Sequence, residues 1–436
     1  VSTLSSLRSR IGRVGSAVSD QALLSATNLL AGVMLIRSAG DRQYGYYVLA
    51  TNAVLLLITL QNGFFGAPMI NRLTPLPPVE QGRYAAGLNR EQRRLLLPGC
   101  ALVLLLAFTA RAAGLIDGEA MWVAAAFALA TIAMLGREFY RMVLLAHRRT
   151  GLLLRTDLAF AAVYLGGIAL GLRSAYAGGF ALLALTAAAA AAGLLLARHA
   201  RRESYLAAYG PSGALRQLAP VGAWAAAGGA IHWIYGQGYS YLVAGSLDVA
   251  AVAAVSATRL LMMPLNLVAS GVSQFMLPTA AAWLHRDGPA VLLRRLLLTG
   301  GCMCLLALAY VAVVWQLRGW IFGSLLHKGL AGGFADRDLL FCLWAGIFGL
   351  MVVRDQLLFL PVLRERFRTL AGLSFSCAAL AVALSWPAMR HYGAAGALVG
   401  MLAGEILNIA GIAVLALREA RLESAPHAEA VVGQVS

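Results

Sequence analysis

The chain has 436 residues, of which 60% are hydrophobic and 12% charged, against roughly 25% charged in a soluble domain. With a mean hydropathy of +0.75, this composition excludes a soluble enzyme and points to a polytopic membrane protein. The net charge of +16 does not indicate nucleic-acid binding. The basic residues are all Arg apart from Lys328, and most lie in short loops at the ends of apolar runs, where membrane topology places them.

Apolar runs of about 20 residues are long enough to cross a hydrocarbon core of ~30 Å. They predict twelve spans, at 18–37, 45–70, 95–113, 119–146, 152–172, 178–197, 218–245, 249–277, 292–315, 338–362, 367–387 and 393–417. The first follows Arg8, Arg10 and Arg13 without an evident cleavage site, and reads as an uncleaved signal anchor. Loop 71–94 is expected to hold a surface amphipathic helix from Glu80 to Leu88. The basic segment Arg198 to Arg216, with Tyr209-Gly210-Pro211-Ser212-Gly213, separates six spans from six. The predicted fold is therefore an all-α polytopic membrane protein of about twelve transmembrane helices. They form two pseudo-symmetric six-helix lobes, 1–205 and 206–417, around a central cavity, with a cytoplasmic tail at 418–436.

Two echoes support the halves. Arg137-Glu138 recurs as Arg354-Asp355, 217 residues on, and each pair is followed by a basic turn: His147-Arg148-Arg149 and Arg364-Glu365-Arg366. Gly40 and Gly66 recur as Gly245 and Gly271, 205 residues on. Repeated halves are a common way of building transporters. With the N-terminus inside, 23 basic residues lie in inner loops and tails and eight in outer ones. This bias predicts both termini in the cytoplasm.

Arg137, Arg141, Arg259 and Arg354 are the four basic residues left inside spans, where charge is costly and marks a functional or paired position. Arg259 lies about ten residues, or roughly 15 Å, into its span. It either faces a cavity and meets an anionic substrate with its planar donor fork, or pairs with an acid such as Glu405. Arg137 and Arg141 share a helix face, and Glu138 is spaced to pair with Arg141. The arginines of spans 4 and 10 would form a cationic entry, or structural ion pairs. Asp355 is adjacent to Arg354, and the ~100° between neighbours on a helix means that these two need not pair.

Glu405, Asp20 and His232 are the candidate ion-coupling groups, since a buried carboxylate or imidazole can titrate near neutrality. Tyr235 and Tyr239, with Trp224, Trp233 and Tyr241, could contact sugars or form an interfacial belt. Asn28, Asn52, Asn62, Asn266 and Gln274 could line the path or join helices. Cys100, Cys302, Cys304, Cys342 and Cys377 read as apolar filler. No metal or other cofactor is expected, and no Walker loop, nucleophile elbow or His-Glu zinc motif is present; the protein is not expected to be an enzyme.

Three stretches resemble polysaccharide flippases. Leu35-Ile36-Arg37-Ser38-Ala39-Gly40-Asp41-Arg42-Gln43-Tyr44-Gly45-Tyr46-Tyr47 is similar to the segment joining their first two helices. Tyr241 to Asp248, continuing through Ala257-Thr258-Arg259-Leu260 to Leu277-Pro278-Thr279, resembles their seventh-to-eighth helix segment. Arg137 to Asp157 is similar to their fourth-to-fifth helix turn. A departure is Ala250-Ala251-Val252 where the family usually has Gly-x-Tyr.

The family is the polysaccharide transporter, or Wzx-type, branch of the multidrug/oligosaccharidyl-lipid/polysaccharide (MOP) exporter superfamily. The resemblance implies a flippase for undecaprenyl-pyrophosphate-linked oligosaccharide (an O-antigen or exopolysaccharide repeat unit). It would work by alternating access in the bacterial inner membrane, with a polysaccharide polymerase and a chain-length regulator as partners. The alternatives are a cation-coupled multidrug exporter of the same superfamily, a lipid II flippase, and a non-transporting member of a glycan-assembly complex.

Overall fold

The computed structural model describes Ser19 and residues 22–73, 75–147, 149–325 and 334–422. Its regular elements are helices: α1 (Ala22–Ser38), α2 (Asp41–Leu73), α3 (Pro78–Ala112), α4 (Gly118–Ala146), α5 (Thr150–Gly171), α6 (Ala177–Arg202), α7 (Ala214–Ser246), α8 (Val249–Leu260), α9 (Met263–Trp320), α10 (Phe334–Leu357), α11 (Phe359–Leu363), α12 (Phe367–Tyr392) and α13 (Ala394–Leu422). Among the described residues, nine helical stretches are long and apolar enough to cross a membrane, or ten if the bent pair Val249–Leu260 and Met263–Ser273 is one span.

Where they are described, all twelve predicted segments lie largely on helix, but α1 and α7 are outside that count. The described part of α1 is too short. α7 carries His232, Gln237 and the glycines 228, 229, 236 and 238, which dilute its apolar character. The outer faces are apolar: Leu105 and Phe108 of α3 are 57% and 62% exposed, as a lipid-facing helix requires.

Three local differences from the sequence reading have physical causes. Asn89-Arg90-Glu91-Gln92-Arg93-Arg94 contains no helix breaker, so the expected surface helix runs without interruption into the third span as the single helix α3. The eighth span bends by 52° after α8. There Pro264 at the start of α9 has no N–H to donate, and Tyr310 donates to the carbonyl of Leu261 at 2.6 Å. The expected inner loop at 278–291 is helical on both sides of a corner at Gly288, where φ is 77° and ψ is 173°, a region that only glycine enters readily.

The chain divides into two compact units, Val1–Trp233 and Ile234–Ser436, and the division falls inside α7. In unit 1 the Ala-rich helix α6 packs against α2, α4 and α5. Its buried Ala181, Ala188, Ala189 and Ala192 allow close approach. Phe65, Met69, Leu88, Phe139, Val143, Leu153 and Leu196 fill one end of this unit. Asp117 in the loop before α4 caps that helix, accepting from Ala120 N at 2.7 Å. That N–H, and the guanidinium of Arg42 beside it, hold the Asp117 carboxyl below the usual range. The cap is at full strength above the unfolded carboxylate's pKa and is lost as pH falls through the lower folded one.

In unit 2, α9, α10 and α13 pack around Leu292, Leu296, Leu360, Ile412 and Ala416. α12 lies along α13 at close range. A Cβ on Gly400 would overlap Ser385 Oγ and the carbonyl of Ala381. Gly400→Val is therefore expected to cost about 1–3 kcal/mol through overpacking. A lowered melting temperature of the detergent-purified protein would report it; an unchanged one would show that α12 and α13 can part.

Candidate functional site

Arg259 is built into unit 2 by the order of α8. Asp248 caps the helix by accepting from Ala251 N at 2.6 Å. Residues 252–258 and Leu260 are buried on all sides of α8, so its one charged residue, Arg259, emerges at the last turn of an otherwise packed helix. Trp344 of α10 donates from its indole N–H to the carbonyl of Val255 at 3.0 Å, tying α10 to α8. The Tyr239 ring meets Trp344 edge-on, with centroids 5.2 Å apart.

The Arg259 guanidinium lies 5.7 Å from the Tyr239 ring centroid and 5.4 Å from that of Trp344. It donates to Gln237 Oε1. Among the described residues, no carboxylate lies within ion-pair distance of it. The group is partly exposed. One of its five N–H donors is committed to a neutral amide, which leaves a planar fork able to hold an oxyanion. Two aromatic rings stabilise the cation by about 0.5–2 kcal/mol each.

Glu405, the acid weighed as a partner for Arg259, belongs to a different cluster. Arg354 Nη1 lies 2.9 Å from Glu405 Oε1 and donates to Oε2 at 3.0 Å. The same guanidinium also reaches its neighbour Asp355, through Nε at 3.0 Å and Nη2 at 2.7 Å. The ~100° separation of adjacent residues is overcome because the long arginine side chain folds back along the helix. Tyr235 donates its hydroxyl to Glu405 Oε2. Arg354 and Glu405 are 6% and 1% exposed, and two carboxylates share one arginine.

In unit 1, Arg137 is 3% exposed and Asp157 of α5 is 0% exposed. Arg137 donates to Asp157 Oδ1, and Arg141 Nε lies 3.4 Å from Asp157 Oδ2. The Arg137 guanidinium also lies over the Phe160 ring at 4.2 Å. The carboxylate that both arginines reach is Asp157. A signal was present in the chain: Arg137 and Asp157 lie ten and seven residues either side of the turn at 147–150, so a helical hairpin brings them to similar depth.

The tyrosines expected to contact sugars are placed inside unit 2. Tyr239 is 3% exposed and has its ring occupied by Trp344 and Arg259, while the hydroxyl of Tyr235 is taken by Glu405. Tyr235→Phe removes one hydrogen bond to a charged group, expected to cost about 1.5–3 kcal/mol. Such a fall in thermal stability assigns Tyr235 to the cluster; lost transport at unchanged stability would assign it to substrate. His232 is exposed on α7 and Trp224 is 81% exposed. Asp20 lies outside the described residues. Among the described residues, no three His, Cys, Asp or Glu side chains converge on a metal-sized site.

No protein-family model and no curated protein sequence matches the chain. Solved structures do. The lipid II flippase MurJ in an inward closed conformation is similar with a TM-score of 0.73 at 11% identity, over 91% of this chain and 86% of that one. An inward-facing multidrug resistance MATE family transporter of the MOP superfamily gives 0.72 at 14% identity, over 93% and 96%. A Vibrio cholerae MATE transporter gives 0.56 at 14% identity, over 97% and 98%. The chain has their fold. At these identities the likeness concerns backbone architecture, and it spans nearly the whole of each chain.

Proposed function

We propose that this protein is a membrane transporter of the MOP superfamily, and within it a flippase for undecaprenyl-pyrophosphate-linked oligosaccharide in the bacterial inner membrane. In this reading twelve helices form two six-helix lobes, both termini are cytoplasmic, and transport proceeds by alternating access. A polysaccharide polymerase and a chain-length regulator are the partners downstream.

The observation that carries the reading is Arg259: an arginine inside a span, held by two rings and an amide, with no acidic partner among the described residues. A fixed cation of this kind suits a pyrophosphate. A cation-exporting relative would be expected to present acid there. The fold likeness to a lipid II flippase and to MATE transporters is nearly equal and does not choose between them.

Arg137 and Arg141, bound to Asp157, then serve to join α4 and α5. The Arg354 cluster holds an extra carboxylate, which makes Glu405 the preferred ion-coupling group. Its hydroxyl partner Tyr235 is already in place.

The test is a deletion strain of the source bacterium, with membrane lipids extracted and surface polysaccharide measured together. Accumulation of lipid-pyrophosphate-linked oligosaccharide with loss of surface glycan is expected. Normal surface glycan with sensitivity to cationic drugs would overturn the flippase reading in favour of an exporter.

A further inference from the structure

Unit 1 contains a second cationic feature, separate from the intramembrane arginines. A cavity of about 570 Å³ between α3 and the C-terminal end of α6 is lined by Arg90, Arg93, Arg94 and Arg201, with no acidic side chain among its lining residues. Two of the four are held in place. Arg90 donates to the carbonyl of Gly210 at 2.6 Å, and Arg93 donates to the Tyr140 hydroxyl at 2.6 Å. Arg90 Nε is buried without an acceptor. The nearby acid, Glu91, is directed elsewhere: it accepts from the backbone N–H groups of Gly213 and Leu215 at the start of α7.

The apolar part of the cavity matters as much as its charge. Leu97 and Pro98 lie in its wall, at the point where α3 changes from Arg-rich to an unbroken apolar run. Beyond them Leu102, Leu105 and Phe108 are 54–62% exposed. A free phosphate needs the arginines alone. Arginines at the head of an exposed leucine face match a lipid, with its headgroup at the charged end and its chains along α3. Basic pockets between helices at the cytoplasmic membrane surface are suited to anionic headgroups, and the arginine distribution assigns this end to the cytoplasmic side.

We propose that this cavity is a binding site for the phosphate headgroup of an anionic phospholipid of the inner leaflet. The site does not depend on what the protein transports. Arg94 and Arg201 are the variants of choice, because both are exposed and neither holds another element in place.

The experiment uses the full-length protein in nanodiscs of phosphatidylcholine and phosphatidylglycerol, released and weighed by native mass spectrometry. Wild type should retain phosphatidylglycerol in preference to phosphatidylcholine. The double variant Arg94→Gln/Arg201→Gln should reduce that preference about thirtyfold with its melting temperature unchanged. The control Arg111→Gln/Arg173→Gln removes the same charge from exposed sites elsewhere in unit 1 and should keep the preference. Equal retention of the two lipids by wild type, or equal loss in both double variants, overturns the proposal. A double variant that melts early is replaced by Arg94→Lys/Arg201→Lys. That variant keeps the charge and should keep the preference; its loss would also overturn the proposal.

Discussion

Arg259→Ala is expected to abolish translocation while the protein remains folded and abundant. Arg259 belongs to no ion pair among the described residues, so its removal leaves no uncompensated carboxylate behind. Gln237 loses one donor, and Tyr239 and Trp344 keep each other and the indole bond to Val255. Losing a charged donor to Gln237 and the two ring contacts should lower stability by about 1.5–3 kcal/mol, less than the about 3–5 kcal/mol of orphaning a buried charge.

Function should fall much further. Two charge-assisted hydrogen bonds to a phosphate, at about 1.5–3 kcal/mol each, correspond to a loss of at least about a hundredfold. Arg259→Lys retains the charge without the fork and should recover only part of it. Lipid-linked oligosaccharide and surface glycan report transport, and immunoblotting and thermal melting report the fold. Stability lost in step with activity would make Arg259 a scaffold residue. Unimpaired transport by Arg259→Ala would remove it from the substrate path.

Asp157→Ala should have the largest effect on stability, about 3–5 kcal/mol. The carboxylate is fully buried and serves both Arg137 and Arg141. Truncating it leaves the 3%-exposed Arg137 guanidinium on Phe160 without its one carboxylate partner among the described residues. The second variant needed is Arg137→Met/Asp157→Leu. Replacing a buried pair by apolar groups of similar volume is often neutral or stabilising, so the double variant should recover most of the lost melting temperature. Its transport decides the role of Arg137. Recovery of transport along with stability makes the pair a tie between α4 and α5, whereas a stable but inactive double variant would return Arg137 to the substrate path.

The same pair shows where sequence reading stops. Runs of apolar residues identified a helical membrane protein, because crossing a hydrocarbon layer demands ~20 consecutive apolar residues whatever the tertiary packing. Arg137, Arg259 and Arg354 stood out for the same reason: a charge in such a run is conspicuous from its neighbours alone. The partners were less legible. Glu138 was the nearest acid in the chain, yet Asp157 across the helical hairpin is the one that Arg137 and Arg141 share. Helical angle left open whether Arg354 pairs with Asp355; Arg354 does reach it, and also reaches Glu405, 51 residues away.

Composition and arginine spacing by themselves determined the fold class and which charges needed an explanation, because hydropathy and charge cost are set by residues adjacent along the chain. Only the tertiary structure decided which carboxylate answers each arginine, that Arg259 has none within reach among the described residues, and that four further arginines converge on one cavity. Those relations depend on how helices far apart in sequence pack side by side, and helical period and loop length leave that packing undetermined.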